Sequence, residues 1–148
     1  MVDIRRVDHV GIRIRDKARS VSFYEQLGFA VETDTGFEHG HPIIMEHPGG
    51  VVLNLLGPAT DEPGPNVLMD VDVKHPGITH VALRVGSLDE LRAFLEERAI
   101  PVTGTFEFGS LRALFVRDPD GTVIEFDERS AVASIKPIED PSLYDGHP

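Results

Sequence analysis

The chain repeats itself. A shift of 71 residues (His80 minus His9) lays "VDHVGIRI", residues 7–14, on "ITHVALRV", residues 78–85, without a gap. His9 meets His80, Val10 meets Val81 and Arg13 meets Arg84. The same offset brings Phe23 onto Phe94, Glu25 onto Glu96, Val31 onto Val102 and Phe37 onto Phe108. It still holds at Pro48 with Pro119, Gly50 with Gly121 and Val52 with Val123. A register kept over that length describes two copies of one supersecondary unit, and each copy must be explained by the same elements.

Within each copy the hydrophobic periods switch from two to about 3.6 and back. Val10, Ile12 and Ile14 alternate with His9, Gly11 and Arg13, which is a strand with two unlike faces. A helix follows, with Asp16 as N-cap, Val21, Tyr24 and Leu27 at three-residue spacing, and Gly28 at the stop. In the second copy Ser87 and Glu90 form an S-x-x-E capping box ahead of Leu91, Phe94 and Leu95. A short strand then leads into a hairpin turned by "EHPGG" in one copy and "RDPDGT" in the other, and the hairpins end on "VVLNLL" and "TVIEFD". The expected fold is α+β, two β-α-β-β-β modules at about residues 5–56 and 78–128 within one domain spanning 1–148. A connector, 57–77, contains "NVLMDVDV", which alternates well enough to predict a short strand packed on a partner subunit. The tail, 129–148, loses periodicity and reads as an arm or frayed end.

Strand alternation also places the chemistry. His9 and Arg13 share one face of the first strand, as His80 and Arg84 do in the other copy, opposite the aliphatic face that a helix would cover. Glu125 sits between Ile124 and Phe126 in the last strand, where an unpaired carboxylate is costly and a bound cation would offset the cost. A single histidine on a strand is ordinarily structural. Two at repeat-equivalent positions, with a mid-strand carboxylate, make a ligand set of His9, His80 and Glu125 suited to Fe(II), Zn, Ni, Co or Mn. The first-copy counterpart of Glu125 is Asn54, either a weak neutral ligand or a hydrogen-bonding group for a bound water or substrate oxygen. Phe37 and Phe108 are equally core packing or pocket wall, and His41, just ahead of a hairpin strand, is the loop histidine placed to reach a pocket.

These residues define a resemblance. The paired modules, with "DHVGIRI", "FYEQLGF", "THVALRV" and "RDPDGTVIEF", resemble the vicinal oxygen chelate superfamily, over residues 5 to 128. That superfamily includes glyoxalase I, extradiol dioxygenases, fosfomycin-resistance enzymes, methylmalonyl-CoA epimerase and bleomycin-binding proteins. The resemblance implies modules curled into a U-shaped cleft around one divalent metal, completed within a chain or across a homodimer. It implies a small-molecule substrate with adjacent oxygens, and ligands from the first and last strand of each module, here His9, Asn54, His80 and Glu125. Glyoxalase I resembles a pattern with glutamate in both modules, so Asn54 speaks against lactoylglutathione lyase activity. The two-histidine, one-carboxylate set points toward an Fe(II) extradiol-type reaction, with Fe2+ favoured over Zn2+, Ni2+, Mn2+ or Co2+. Glu125 and His41 are then the catalytic candidates, and Asn54, Arg13, Phe37 and Phe108 the substrate-binding ones. A glyoxalase-like lyase or isomerase is the rival enzyme, needing His41 or Glu46 as base. A metal-free antibiotic-binding module is the rival from outside enzymology.

Charge and composition narrow the partners. With 14 basic and 25 acidic residues the net charge is −11, a poor match for nucleic acid or anionic membranes. The absence of cysteine removes disulfides and thiolate ligands, and a cytoplasmic location is expected.

Overall fold

The computed structural model describes residues 1–130, and the expected arm lies outside the described residues except for its first two positions. The chain forms two compact units, Met1–Gly64 and from Pro65 onward. The first runs β1 (Val10–Arg13), α1 (Lys17–Gln26), β2 (Ala30–Asp34), a 3-10 turn (Phe37–His39), β3 (Ile43–Glu46) and β4 (Val52–Leu56). The second runs β5 (His80–Arg84), α2 (Leu88–Glu97), β6 (Val102–Phe108), β7 (Leu111–Arg117) and β8 (Val123–Arg129). Each unit holds one four-stranded sheet, ordered β1-β4-β3-β2 and β5-β8-β7-β6. The first and last strands of each unit pair in parallel, the rest antiparallel. Both modules are therefore β-α-β-β-β. The two helices start and stop at the same 71-residue offset, and even the register irregularity between Val31 and Thr33 recurs between Val102 and Gly104.

Local chemistry explains the boundaries. Asp16 caps α1, its Oδ1 accepting from the Arg19 amide at 2.7 Å, and Ser87 Oγ accepts from the Glu90 amide at the start of α2. A carboxylate of β8 adds to the second cap: Glu128 Oε2 accepts from the Leu88 amide at 2.6 Å. Beyond α1, Gly28 takes the left-handed conformation that ends helices, at φ 94°. Its counterpart in the second module is Ala99, also left-handed at φ 53°. A Cβ makes that conformation unfavourable by about 1–2 kcal/mol. Ala99→Gly should therefore raise stability by about 1 kcal/mol after glycine's greater freedom in the unfolded chain is counted. Urea denaturation of the variant checks this, and an unchanged or lower midpoint would contradict it.

Each sheet buries one aliphatic face. In the first unit Ile12, Ile14, Ile43, Met45, Leu53 and Leu55 are buried, with Ser20, Phe23 and Tyr24 as the buried positions of α1. Val21 and Leu27, the outer members of the expected stripe, are only half-buried. In the second unit Leu114, Val116, Ile124 and Phe126 are buried on one face, and Leu88 and Leu95 are the buried positions of α2. A smaller cluster of Ala113, Phe115 and Val123 lies on the opposite face beneath Met69 and Phe106.

The connector departs from expectation. Residues 67–73 form turns, with no strand. The Met69 and Asp70 amides both donate to the Asn66 carbonyl, and Asn66 Oδ1 accepts from the Leu68 amide. Asp70 Oδ2 in turn accepts from the Asn66 amide. Asparagine and aspartate thus offer the backbone local partners that outcompete an extended ladder, which alternation alone cannot reveal. Among the described residues no helix is long and apolar enough to cross a membrane.

Candidate functional site

The face of each sheet away from its helix carries the polar residues of interest. In the first unit Gly11 of β1 stands in register with Asn54 of β4, which is flanked on its other side by Ile44 of β3. His9 is exposed just ahead of β1, and its Nδ1 lies 3.0 Å from Asp8 Oδ2. Asn54 is half-buried and Arg13 exposed on the same face.

In the second unit β5 presents His80, Ala82 and Arg84 outward, and the neighbouring β8 presents Glu125 and Asp127. His80 Nε2 lies 2.9 Å from Glu125 Oε2, and the glutamate side chain is only 13% exposed. The other ring nitrogen, Nδ1, is 2.9 Å from Thr79 Oγ1. Thr79 is the repeat equivalent of Asp8. Each candidate histidine therefore has its Nδ1 occupied by the side chain just before it, and in His80 the Nε2 faces Glu125.

The electrostatics are strained. Glu125 titrates at about 7, raised chiefly by burial, then by the charge of Asp127 and a hydrogen bond shared with it, with Arg129 pulling the other way. Asp127 Oδ1 is buried without a hydrogen-bond partner. Two carboxylates are thus desolvated side by side, and a proton or a cation would relieve both. The donor chemistry of imidazole and carboxylate suits a divalent ion of the Fe, Zn, Ni, Co or Mn group. Two such ligands bound at about 2.1 Å and at right angles would stand about 3.0 Å apart, close to the spacing of His80 and Glu125. Among the described residues, no group of three or more His, Asp or Glu side chains is assembled to hold a metal. The second unit supplies a fitting pair.

Phe37 is buried, 3% exposed, and packs edge to backbone on Gly57. Phe108, its aligned partner, ends β6 and stacks on Phe106 with ring centroids 6.4 Å apart. His41 is exposed in the loop before β3, its ring beside Gly36. Sequence reasoning did not single out Asp127, Thr79 or Asp8. The alternation that exposed Glu125 also carries Asp127, two residues on, whereas the Nδ1 contacts of Thr79 and Asp8 have no sequence signature beyond adjacency.

Comparison with known proteins agrees with this architecture. The family model of the Glyoxalase/Bleomycin resistance protein/Dioxygenase superfamily matches residues 6–126. The chain belongs to that superfamily. Among solved structures, a glyoxalase family protein from Enterococcus faecalis superposes with a TM-score of 0.70 at 23% identity, covering 86% of this chain and 100% of its own. An antibiotic binding protein from Streptomyces gives 0.66 at 25% identity, covering 88% and 100%. A lactoylglutathione lyase from Agrobacterium tumefaciens gives 0.63 at 18% identity, covering 86% and 96%. No curated protein matches the chain in sequence.

Proposed function

We propose that the protein is a divalent-metal enzyme acting on a small substrate with adjacent oxygens, most simply an Fe(II) extradiol-type dioxygenase. The observation that carries this reading is the His80–Glu125 pair, 2.9 Å apart, with a desolvated carboxylate that a cation would satisfy. His9, the repeat equivalent of His80, is the third donor in this proposal, on the strength of the sequence repeat. A metal held by these residues would supply Lewis-acid chemistry toward the two substrate oxygens. The chain's own residues do the rest. Thr79 fixes the ring of His80 through Nδ1, Glu125 stands within hydrogen-bonding distance of its Nε2, and Asp127 keeps the local charge negative enough to favour a cation. Asn54 in place of a carboxylate leaves a two-histidine, one-carboxylate set, which favours the oxygenase over a glyoxalase-like lyase or isomerase. Arg13 and Asn54 hold the substrate, and His41 is the candidate for proton transfer outside the ligand set. The same reading has the protein working in the cytoplasm as a homodimer, by analogy with relatives that pair modules within or between chains.

A second reading, a metal-free binding module, is supported by the similarity to the antibiotic binding protein. Metal content separates them. Protein purified anaerobically without a histidine tag should carry about one iron per chain, and His80→Ala and Glu125→Ala should each lose it. Full metal retention in both variants would defeat the ligand assignment. Zinc or nickel would shift the assignment to the lyase or isomerase, and no metal in any of the three would leave the binding module.

A further inference from the structure

The open face of the second unit carries cationic charge that the protein itself does not use. Arg112, on the α2 side of the sheet, is held by Asp89, Glu107 and Glu128, and Arg117 by both oxygens of Asp70. Arg84 and Arg129 differ. Both are exposed, and among the described residues neither makes an ion pair or side-chain hydrogen bond.

Position ties Arg84 to the candidate site. It projects from the same face of β5 as His80 and stands in register with Asp127, two residues beyond Glu125 on β8. Between His80 and Arg84 the only outward side chain is Ala82, exposed and in register with Glu125. The strand rise of about 3.3 Å per residue sets the two Cα atoms about 13 Å apart. An anion placed there would be repelled by Glu125 and Asp127 unless a guanidinium met its charge directly, through the strong paired hydrogen bonds that arginine makes to carboxylates.

We infer that the substrate is a small carboxylate. Arg84 grips its carboxylate at the far end of β5, and the His80–Glu125 pair receives its oxygen-bearing end. This rests on the proposed function for the second half of the statement only, because the Arg84 subsite does not depend on a metal.

The test uses full-length protein loaded with Mn(II) and calorimetric titration with catechol, 3,4-dihydroxybenzoate and benzoate, in wild type and Arg84→Met. Arg84 is exposed, so the variant should fold, and circular dichroism verifies it. The expected result is that 3,4-dihydroxybenzoate binds at least tenfold more tightly than catechol to wild type. In Arg84→Met that advantage disappears while catechol binding is unchanged. Equal affinities in wild type, or an advantage that survives in the variant, would overturn the inference and leave the metal reading standing. Arg84-dependent benzoate binding without any catechol binding would support the carboxylate subsite and defeat the metal reading. No binding of any of the three ligands would overturn both.

Discussion

Gly57→Ala is expected to cost about 3 kcal/mol or more, a large share of the stability of a domain this size. Gly57 is buried at the end of the first module, and a Cβ built on it would lie 1.9 Å from two atoms of the Phe37 ring. The ring has little freedom to retreat. Phe37 opens a 3-10 turn bracketed by Gly36 and Gly40, both at positive φ. Asp34 Oδ1 accepts from the amides of Gly36 and Phe37 and holds the start of that turn in place. Asp34 is itself paired with Lys17, and that contact, with the two amides, lowers its carboxyl to about 2. The turn should therefore resist the backbone shift that an added methyl group requires. A double-mutant cycle identifies the cause: in a Phe37→Leu background, whose smaller side chain leaves space, the alanine should cost much less. An equal cost in both backgrounds would mean that the ring is not what the glycine accommodates.

That clash also shows where sequence stops being informative. The repeat aligned Phe37 with Phe108 and left both as core or pocket wall, yet Phe37 is buried on Gly57 while Phe108 stacks on Phe106 at the end of a strand. Periodicity could not separate them, because the first module interrupts its ladder with a 3-10 turn where the second runs straight through β6. Alternation did read correctly where strands are regular. It put Val10, Ile12 and Ile14 on the buried side of β1 and His80 and Glu125 on one face of the second sheet. It failed in the connector, where Asn66 and Asp70 close turns on neighbouring amides and the hydrophobic pattern of "NVLMDVDV" has no ladder to join. The helix caps were legible because Asp16 and Ser87 act within four residues of themselves. The cap from Glu128 comes from a strand 40 residues away and was not. The fold was thus recovered from local and periodic signals, and the site only as far as the strands that carry it.

In the presence of a chelator, Glu125→Gln should make the protein more stable at pH 8, although it removes a candidate ligand. The folded-state carboxyl titrates at about 7 against an ordinary 4.5, so between those values the folded protein binds more protons than the unfolded chain. Stability contributed by this group is fully present below pH 4.5 and is lost as the pH rises through 7. The glutamine variant keeps the shape and cannot ionise, so it lacks this loss. Its advantage at pH 8 should be about 1–2 kcal/mol, allowing for solvent at the edge of the open face, and should shrink toward zero near pH 4.5. Asp34, Asp70 and Asp89 have lowered pKa values and pull stability the opposite way at acid pH, but they are common to both proteins and cancel in the difference. Metal should reverse the order. A divalent ion at a hundred times its dissociation constant stabilises the wild type by about 2.7 kcal/mol and leaves the glutamine variant nearly unmoved. A variant no more stable than wild type at pH 8 without metal would mean that Glu125 is not strained in the empty site. The case for a cation beside His80 would then lose the property that most supports it.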